Sequence, residues 1–326
     1  MGNRFNKFKG GPLTDSNDSI CSRTDTDETV AVARRAAEAA GAADRLEIVS
    51  GTATPSGWTG KLWALNQGVA RASVETPKYL LLTDADIAYR GDALTGLVAR
   101  AERERLVLNS LMARLRCESP AERFAVPAFV FFFQMLYPFA WSNDPARKTA
   151  AAAGGCMLVR RDALEAAGGV AAIRGALIDD CALARLLKRR GPIRLSLAAR
   201  VSSLRRYPDF ADIRRMVVRS AYAQLNYSPL LLAFTVVAML LVFAAPVAAV
   251  VFGVGWTCAC GLAAWALMAA AFQPTVNDYR VSPLWGFALP AIALLYTVYA
   301  IESARESSSG RGGLWKGRYQ ERAVRP

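Results

Sequence analysis

Histidine is absent from all 326 residues. That removes every Ser-His-Asp and Cys-His arrangement, every His-ligated zinc or haem, and any imidazole base. Acid–base chemistry therefore falls to carboxylates, Lys, Tyr or Cys. Cysteine is sparse, and Cys21, Cys117, Cys156, Cys181, Cys258 and Cys260 form no C-x-x-C pair. They read as reduced, mostly buried thiols rather than a disulfide frame or a zinc site. The opening MGNRFNKFKGG has no apolar stretch, so it is not a secretory signal, and Asn6 breaks the myristoylation pattern. No internal repeat is visible.

Apolar residues are plentiful. They make up 53% of the chain, and the mean hydropathy of +0.19 is high for a purely soluble protein. Basic side chains outnumber acidic ones 40 to 27, for a net charge of +13. The excess maps onto no nucleic-acid-binding motif, so no nucleic-acid partner is expected. Much of it lies just before an apolar region, as Lys188, Arg189, Arg190, Arg194, Arg200, Arg205, Arg206, Arg214, Arg215 and Arg219. Basic residues beside a span mark the cytoplasmic side and attract anionic lipid heads.

Along the chain, residues 1–23 are polar and aperiodic and read as disordered. Thr26 or Asp27 can cap a helix that runs to Ala40 and stops at Gly41. A short strand from Leu46, a Gly/Pro loop and a helix from Lys61 follow. The apolar run Tyr79-Leu80-Leu81-Leu82 suits a central strand buried on both faces. A helix from Asp92 and a strand over 105–109 come next. Strands alternating with helices predict an α/β fold with a largely parallel sheet, whose ligands bind beyond the carboxyl ends of the strands. Residues 124–141 include Phe129, Phe131, Phe132, Phe133, Phe139 and Trp141, broken by Pro127, Gln134 and Pro138, and read as an interfacial or lipid-facing segment, or else as an ordinary buried helix. Residues 229–252 contain no charge and would span about 36 Å as a helix, against a hydrocarbon core of about 30 Å. Residues 256–272 and 284–301 are two further candidates. Three full crossings would put the basic tail opposite the α/β domain, although its charge favours the cytoplasm, so one segment is expected to be re-entrant or not to span.

Several residue groups can carry chemistry. Asp84-Ala85-Asp86 stands at a strand exit, where two hard carboxylates can share a divalent cation that holds a diphosphate. The alternative is a polar turn, and Asp25-Thr26-Asp27 has the same spacing without the strand. Asp179 and Asp180 open a helix. Neighbouring carboxylates raise each other's pKa, which suits a general base, and either can instead cap the helix. Gly154-Gly155 allows close backbone approach to a ligand or is a turn. Lys61 follows a Gly-rich loop at a helix start, where a cation and free amides suit phosphate; otherwise it is a solvated lysine.

In this order the segments resemble a family-2 (GT-A fold) glycosyltransferase, most closely the hopanoid-biosynthesis-associated HpnB type. The resemblance is carried by GWTGKLWALNQG (57–68), YLLLTDADI (79–87), PAFVFFFQMLYPFAWSNDP (127–145), AAAGGCMLVRRDAL (151–164), GALIDDCALARLLKRRG (175–191), RSAYAQLNYSPLLL (219–232) and the tail GLWKGRY (313–319). It implies a Rossmann-related GT-A domain over 24–225, a membrane region over 226–303 with two to three helices, and a basic tail from 304. It implies Asp84 and Asp86 as holders of Mg²⁺ or Mn²⁺ and of the nucleotide-sugar diphosphate, with Lys61 and Arg219 beside the nucleotide. Asp180 would be the catalytic base, with Gly154, Gly155 and Asp179 on the acceptor side. The implied activity is a membrane-bound inverting transfer of sugar from a nucleotide-sugar donor to a lipid acceptor, a hopanoid by resemblance. The implied location is the bacterial inner membrane, with the catalytic domain facing the cytoplasm. Departures sit at Met216 and Ser220, where the family has Gln and Trp, and at Ser22 and Arg23, where it has an acidic pair. The first 23 residues look foreign to the family, as truncation or a shifted frame would make them. A non-catalytic membrane or lipid-binding protein with an incomplete nucleotide site is the competing expectation.

Overall fold

The computed structural model describes residues 18–22 and 28–310. The expected caps Thr26 and Asp27, the Asp25-Thr26-Asp27 triplet and the tail segment 313–319 lie outside them. In chain order the elements are β1 (Asp18–Ser22), α1 (Thr29–Ala39), β2 (Leu46–Ser50), α2 (Gly60–Ala72), β3 (Tyr79–Thr83), β4 (Ile87–Tyr89), α3 (Ala93–Arg103) and β5 (Leu108–Arg114). Next come α4 (Pro120–Leu136), α5 (Phe139–Asn143), β6 (Cys156–Arg160), α6 (Arg161–Ala166), α7 (Asp179–Lys188) and β7 (Ile193–Ser203). The chain ends in helices: α8 (Phe210–Val218), α9 (Ala221–Gln224), α10 (Pro229–Met239), α11 (Ala245–Phe252), α12 (Trp256–Asp278) and α13 (Leu289–Ser308). Two units form. One holds the described residues through Arg114 together with Tyr137–Leu204; the other holds Leu115–Leu136 and the described residues from Arg205.

The first unit corrects the expectation of an open, mostly parallel GT-A sheet. Its five-stranded sheet has the order β3-β6-β5-β7-β4. Only β5 and β7 pair in parallel; the other three pairings are antiparallel. A parallel pair, β1 with β2, forms a separate small sheet, and β1 lies inside the stretch that reads as disordered. The alternation of strands and helices misleads because no helix joins β3 to β4. They are the two edge strands, yet only Asp84, Ala85 and Asp86 separate them in the chain. A link that short reaches no more than about 14 Å, so the sheet curls until its edges nearly meet. The short link is bonded to the strand beside each edge, and one side-chain bond crosses the seam. Asp84 N–H donates to Gly155 O (3.4 Å) and Leu204 N–H donates to Asp86 O (2.7 Å). The Tyr89 hydroxyl donates to Thr83 Oγ1 at 2.7 Å.

Both faces of the sheet are covered, which is why β3 reads as an unbroken apolar run. Leu80 and Leu82 join Val107, Leu164, Leu183 and Leu187 on one face. Tyr79 and Leu81 pack beside Leu97, Leu106 and Leu158 on the other. Strand β5 begins later than expected, because Arg105 takes φ +52° and its neighbour Leu106 N–H turns back to Ala101 O. The strand then runs through Asn109 and Ser110, both fully buried, whose side chains bond Leu97 O and the Ala153 backbone.

The second unit is helical. Helix α4 opens on a capping box: Ser119 Oγ accepts from Glu122 N–H (3.0 Å), and Glu122 Oε2 accepts from Ser119 N–H (2.9 Å) and Glu118 N–H (2.8 Å). Pro120 at the first helical turn loses nothing by lacking an N–H. Glu122 Oε1 accepts from Tyr207 N–H at 2.7 Å, so one buried carboxylate ties α4 to the segment before α8. The aromatic run packs inward: Phe131 meets Phe272 at 5.2 Å, and Phe132 meets Phe243 at 5.9 Å and Tyr296 at 5.2 Å between ring centres. The end of α4 stays exposed at Met135 and Leu136.

Three helical stretches are long and apolar enough to cross a membrane: Pro229–Phe252, Trp256–Asp278 and Pro283–Ser308. The first is only 6% buried, the second 28% and the third 44%. Leu230, Phe234, Phe252 and Trp256 are each at least 70% exposed. An apolar face of that extent is stable against lipid and not against water. The three are not simple successive crossings. After α12 the chain doubles back along that helix: Gln273 Nε2 donates to Pro283 O (2.8 Å) and Trp265 Nε1 to Phe287 O (3.0 Å), so the numbers run in opposite directions. This 3₁₀ segment, Pro283–Ala288, fits because Gly286 has no side chain; a Cβ there would lie 2.3 Å from Gln273 Nε2 and 3.1 Å from Ala269 O. Helix α13 then returns, so that Ser308 at its end and Pro229 at the start of α10 line one cavity.

Candidate active site

The first unit gathers Lys61, Asp84, Asp86, Asp179, Asp180 and Gly154. Thr59 caps α2, its Oγ1 accepting from Leu62 N–H at 3.3 Å, and Lys61 projects from that first turn. The loop before it is pinned: Thr59 N–H bonds Arg174 O (2.9 Å), Trp58 packs edge-on against Trp63 (5.1 Å), and Gly57 takes φ +79°, a backbone state suited to glycine. Lys61 Nζ lies 2.9 Å from Asp179 Oδ2 and 3.4 Å from Asp84 Oδ1. One ammonium thus joins the strand-exit carboxylate to the helix-start carboxylate.

Asp179 and Asp180 occupy the first turn of α7, where the helix dipole favours negative charge. Neither is the cap; Ile178 holds that position. Asp180 Oδ1 accepts from Cys181 N–H (2.7 Å) and Oδ2 from Gly154 N–H (2.9 Å). A Cβ on Gly154 would stand 3.3 Å from Asp180 Oδ2 and 3.4 Å from Lys61 Nζ, so a larger residue would crowd both. Gly155 is tight for another reason: its Cβ would meet Ile87 Cδ1 at 2.9 Å.

Burial pushes the Asp180 carboxyl up to about 6, and the charge of Asp179 adds to the rise; Lys61 and the two backbone N–H groups oppose it. Asp84 is also raised, first by burial, then by Asp179 and Asp86 against the pull of Lys61. Burial alone would lower Lys61, but Asp179, Asp84 and Asp180 outweigh it and hold the amine protonated well above its usual range.

Neither Ser110 nor Ser142 is among the candidate residues of the sequence, although Ser142 lies in the quoted segment 127–145; both fix the Gly154 loop. Ser110 Oγ accepts from Ala153 N–H and Ser142 Oγ from Ala151 N–H, each at 2.9 Å. The signal was present as polar residues inside otherwise apolar elements. Thr83 Oγ1 donates to Gly155 O at 2.9 Å and locks the strand exit to the same loop. Arg219 belongs to the other unit, exposed at the end of α8.

Among the described residues no three His, Cys, Asp or Glu side chains converge as a metal cage. Asp84 and Asp86 suit a different kind of site. Mg²⁺ commonly takes one or two carboxylates and completes its shell with water and phosphate oxygens. Both carboxylates stand on a turn whose backbone is bonded at each end, in a cluster where one ammonium faces several acidic groups. These residues could therefore hold a cation shared with a diphosphate.

The sequence model of glycosyl transferase family 21 matches residues 20–316. The chain belongs to that family. It is the family linked to HpnB-type glycosyltransferases, in line with the resemblance of the motif segments. No curated protein matches the chain. Within this family 21 member, the matched span contains all of the clustered carboxylates, Lys61, and the three apolar helical stretches.

Proposed function

We propose that this family 21 glycosyltransferase moves a sugar, with inversion, from a nucleotide-sugar donor to the hydroxyl of a lipid acceptor. The observation that carries the proposal is Asp180: its carboxyl is pushed up to about 6, both oxygens are oriented by backbone N–H groups, and it shares a cluster with the acid-paired Lys61. A general base works best with a pKa near the working pH. Asp180 takes the proton from the acceptor hydroxyl. The freed oxygen attacks the anomeric carbon, and the bond from that carbon to the diphosphate breaks. Lys61 can swing its ammonium from Asp84 to the departing diphosphate, and Gly154 leaves room for the acceptor. Asp84 and Asp86 would hold Mg²⁺ or Mn²⁺, which when bound neutralises diphosphate charge. Arg219 is assigned to the nucleotide by its motif, and Asp179 and Gly155 to the acceptor side.

The acceptor class follows from the apolar helices, and a hopanoid from the resemblance. Basic residues upstream of α10, the last of them Arg219, and after α13 support a cytoplasmic face for both ends of the helical region, in a bacterial inner membrane. Asp180→Asn in the full chain is the test. Transfer is expected to vanish while saturable binding of UDP-sugars with Mn²⁺ persists. Retained transfer would overturn the assignment of the base, and no saturable binding by the unmodified protein would favour a non-catalytic lipid-binding protein.

A further inference from the structure

The cavity shared by the start of α10 and the end of α13 lies within the helical unit and has a volume of about 520 Å³. Its walls are apolar, from Tyr222, Leu232, Ile301 and Ala304, and its rim carries Arg305 with Ser308 and Ser309. Tyr222 is 6% exposed and its ring stacks edge-on against Tyr227 at 5.7 Å. Arg305 is exposed and enters no ion pair among the described residues. The two nearby carboxylates, Glu302 and Glu306, both pair with Arg214, and the charge of Arg305 reaches Glu302 only from beyond ion-pair distance.

We propose that this cavity binds an anionic phospholipid of the surrounding membrane, its phosphate on Arg305 and the first part of an acyl chain against Leu232 and Ile301. Three features favour that occupant. The cavity lies where two membrane-length helices begin and end, which is the level of a lipid headgroup. Its chemistry is divided as a lipid's is, with an exposed guanidinium beside apolar walls. The chain on both sides is basic, so the local field favours an anionic headgroup over a zwitterionic one. The site is independent of the carboxylate cluster and of the reaction assigned to it.

The test is native mass spectrometry of the full-length protein released from nanodiscs of equal phosphatidylglycerol and phosphatidylcholine. The unmodified protein is expected to retain phosphatidylglycerol about fivefold over phosphatidylcholine, the effect of one cation facing an anionic lipid. Arg305→Gln is expected to abolish the preference and Arg305→Lys to restore most of it. Leu232→Trp, which fills the cavity, is expected to reduce retention of both lipids. Arg215→Gln, an arginine outside the cavity, is expected to change nothing. Equal retention of the two lipids by the unmodified protein would overturn the proposal. So would an Arg305→Gln preference like the unmodified one, or an equal loss in Arg215→Gln. Unfolding midpoints of each variant separate loss of the site from loss of the fold.

Discussion

Lys61→Met isolates the ammonium at the centre of the carboxylate cluster. The substitution keeps the length and apolar stem of the side chain and removes one positive charge 2.9 Å from Asp179 and 3.4 Å from Asp84. A carbon at Gly154 would touch both Asp180 Oδ2 and Lys61 Nζ, so Asp180 also lies within the reach of that charge. Lys61 holds the Asp180 carboxyl below where burial and Asp179 would otherwise place it. An opposite charge at this range lowers a carboxyl by about 1–3 units, and the side chain is 35% exposed, so the lower end, about one unit, applies. The sign follows. Asp180 acts deprotonated, the unmodified carboxyl is pushed up to about 6, and without the Lys61 charge it should titrate higher still. The acidic limb of kcat against pH should therefore move upward by about one unit. Donor KM should rise as well, because a cation for the diphosphate is lost. The assay is transfer of labelled sugar to lipid at saturating acceptor from pH 5 to 9. An acidic limb that stays in place, or moves to lower pH, would refute the electrostatic role of Lys61.

Glu122→Gln should destabilise the protein by about 2 kcal/mol, because a neutral amide cannot serve as acceptor to three backbone N–H groups as the carboxylate does. Burial raises that carboxyl, but the N–H groups of Ser119, Tyr207 and Glu118 and the charge of Arg116 outweigh it, so its pKa is depressed. Its stabilisation is present above the ordinary glutamate range and is lost as pH falls through the depressed value; denaturant unfolding in detergent at pH 7 and pH 3 should show a smaller deficit of the variant at the lower pH. Gly286→Val should cost about 1–3 kcal/mol by forcing Gln273 off Pro283 and the 3₁₀ segment off α12, read as a lower unfolding midpoint, whereas an unchanged midpoint would contradict the tight approach at that position.

Local features were legible in the chain. The run Tyr79–Thr83 reads as a buried strand because consecutive apolar side chains can only be satisfied by cover on both faces, and cover is found on both. Gly41 ends α1 with φ +63° because glycine takes a left-handed turn at little steric cost. The paired acids stand at a helix start because the dipole there stabilises them. Strand direction was not legible. A helix between strands is evidence for parallel pairing only when it links neighbours, and β3 and β4 are chain neighbours at opposite edges of a curled sheet. The aromatic segment was equally ambiguous: its composition suits lipid and core alike, and only packing put Phe131 and Phe132 against Phe272, Phe243 and Tyr296.

By itself the sequence determined that part of this chain needs a non-aqueous surrounding, since residues 229–252 carry no charge and no orientation of such a helix could suit water. It also determined which carboxylates were available for chemistry, since without histidine few other groups could serve as a base. Tertiary structure alone decided that Lys61 would be the counter-ion between Asp84 and Asp179, that Gly154 would orient Asp180, and that Pro283–Ala288 would double back along α12. The division has one physical cause. Hydropathy and helix-end preferences act over a few residues and are written locally, whereas ion pairs, strand direction and close backbone approach join segments far apart in the chain and exist only once the whole has packed.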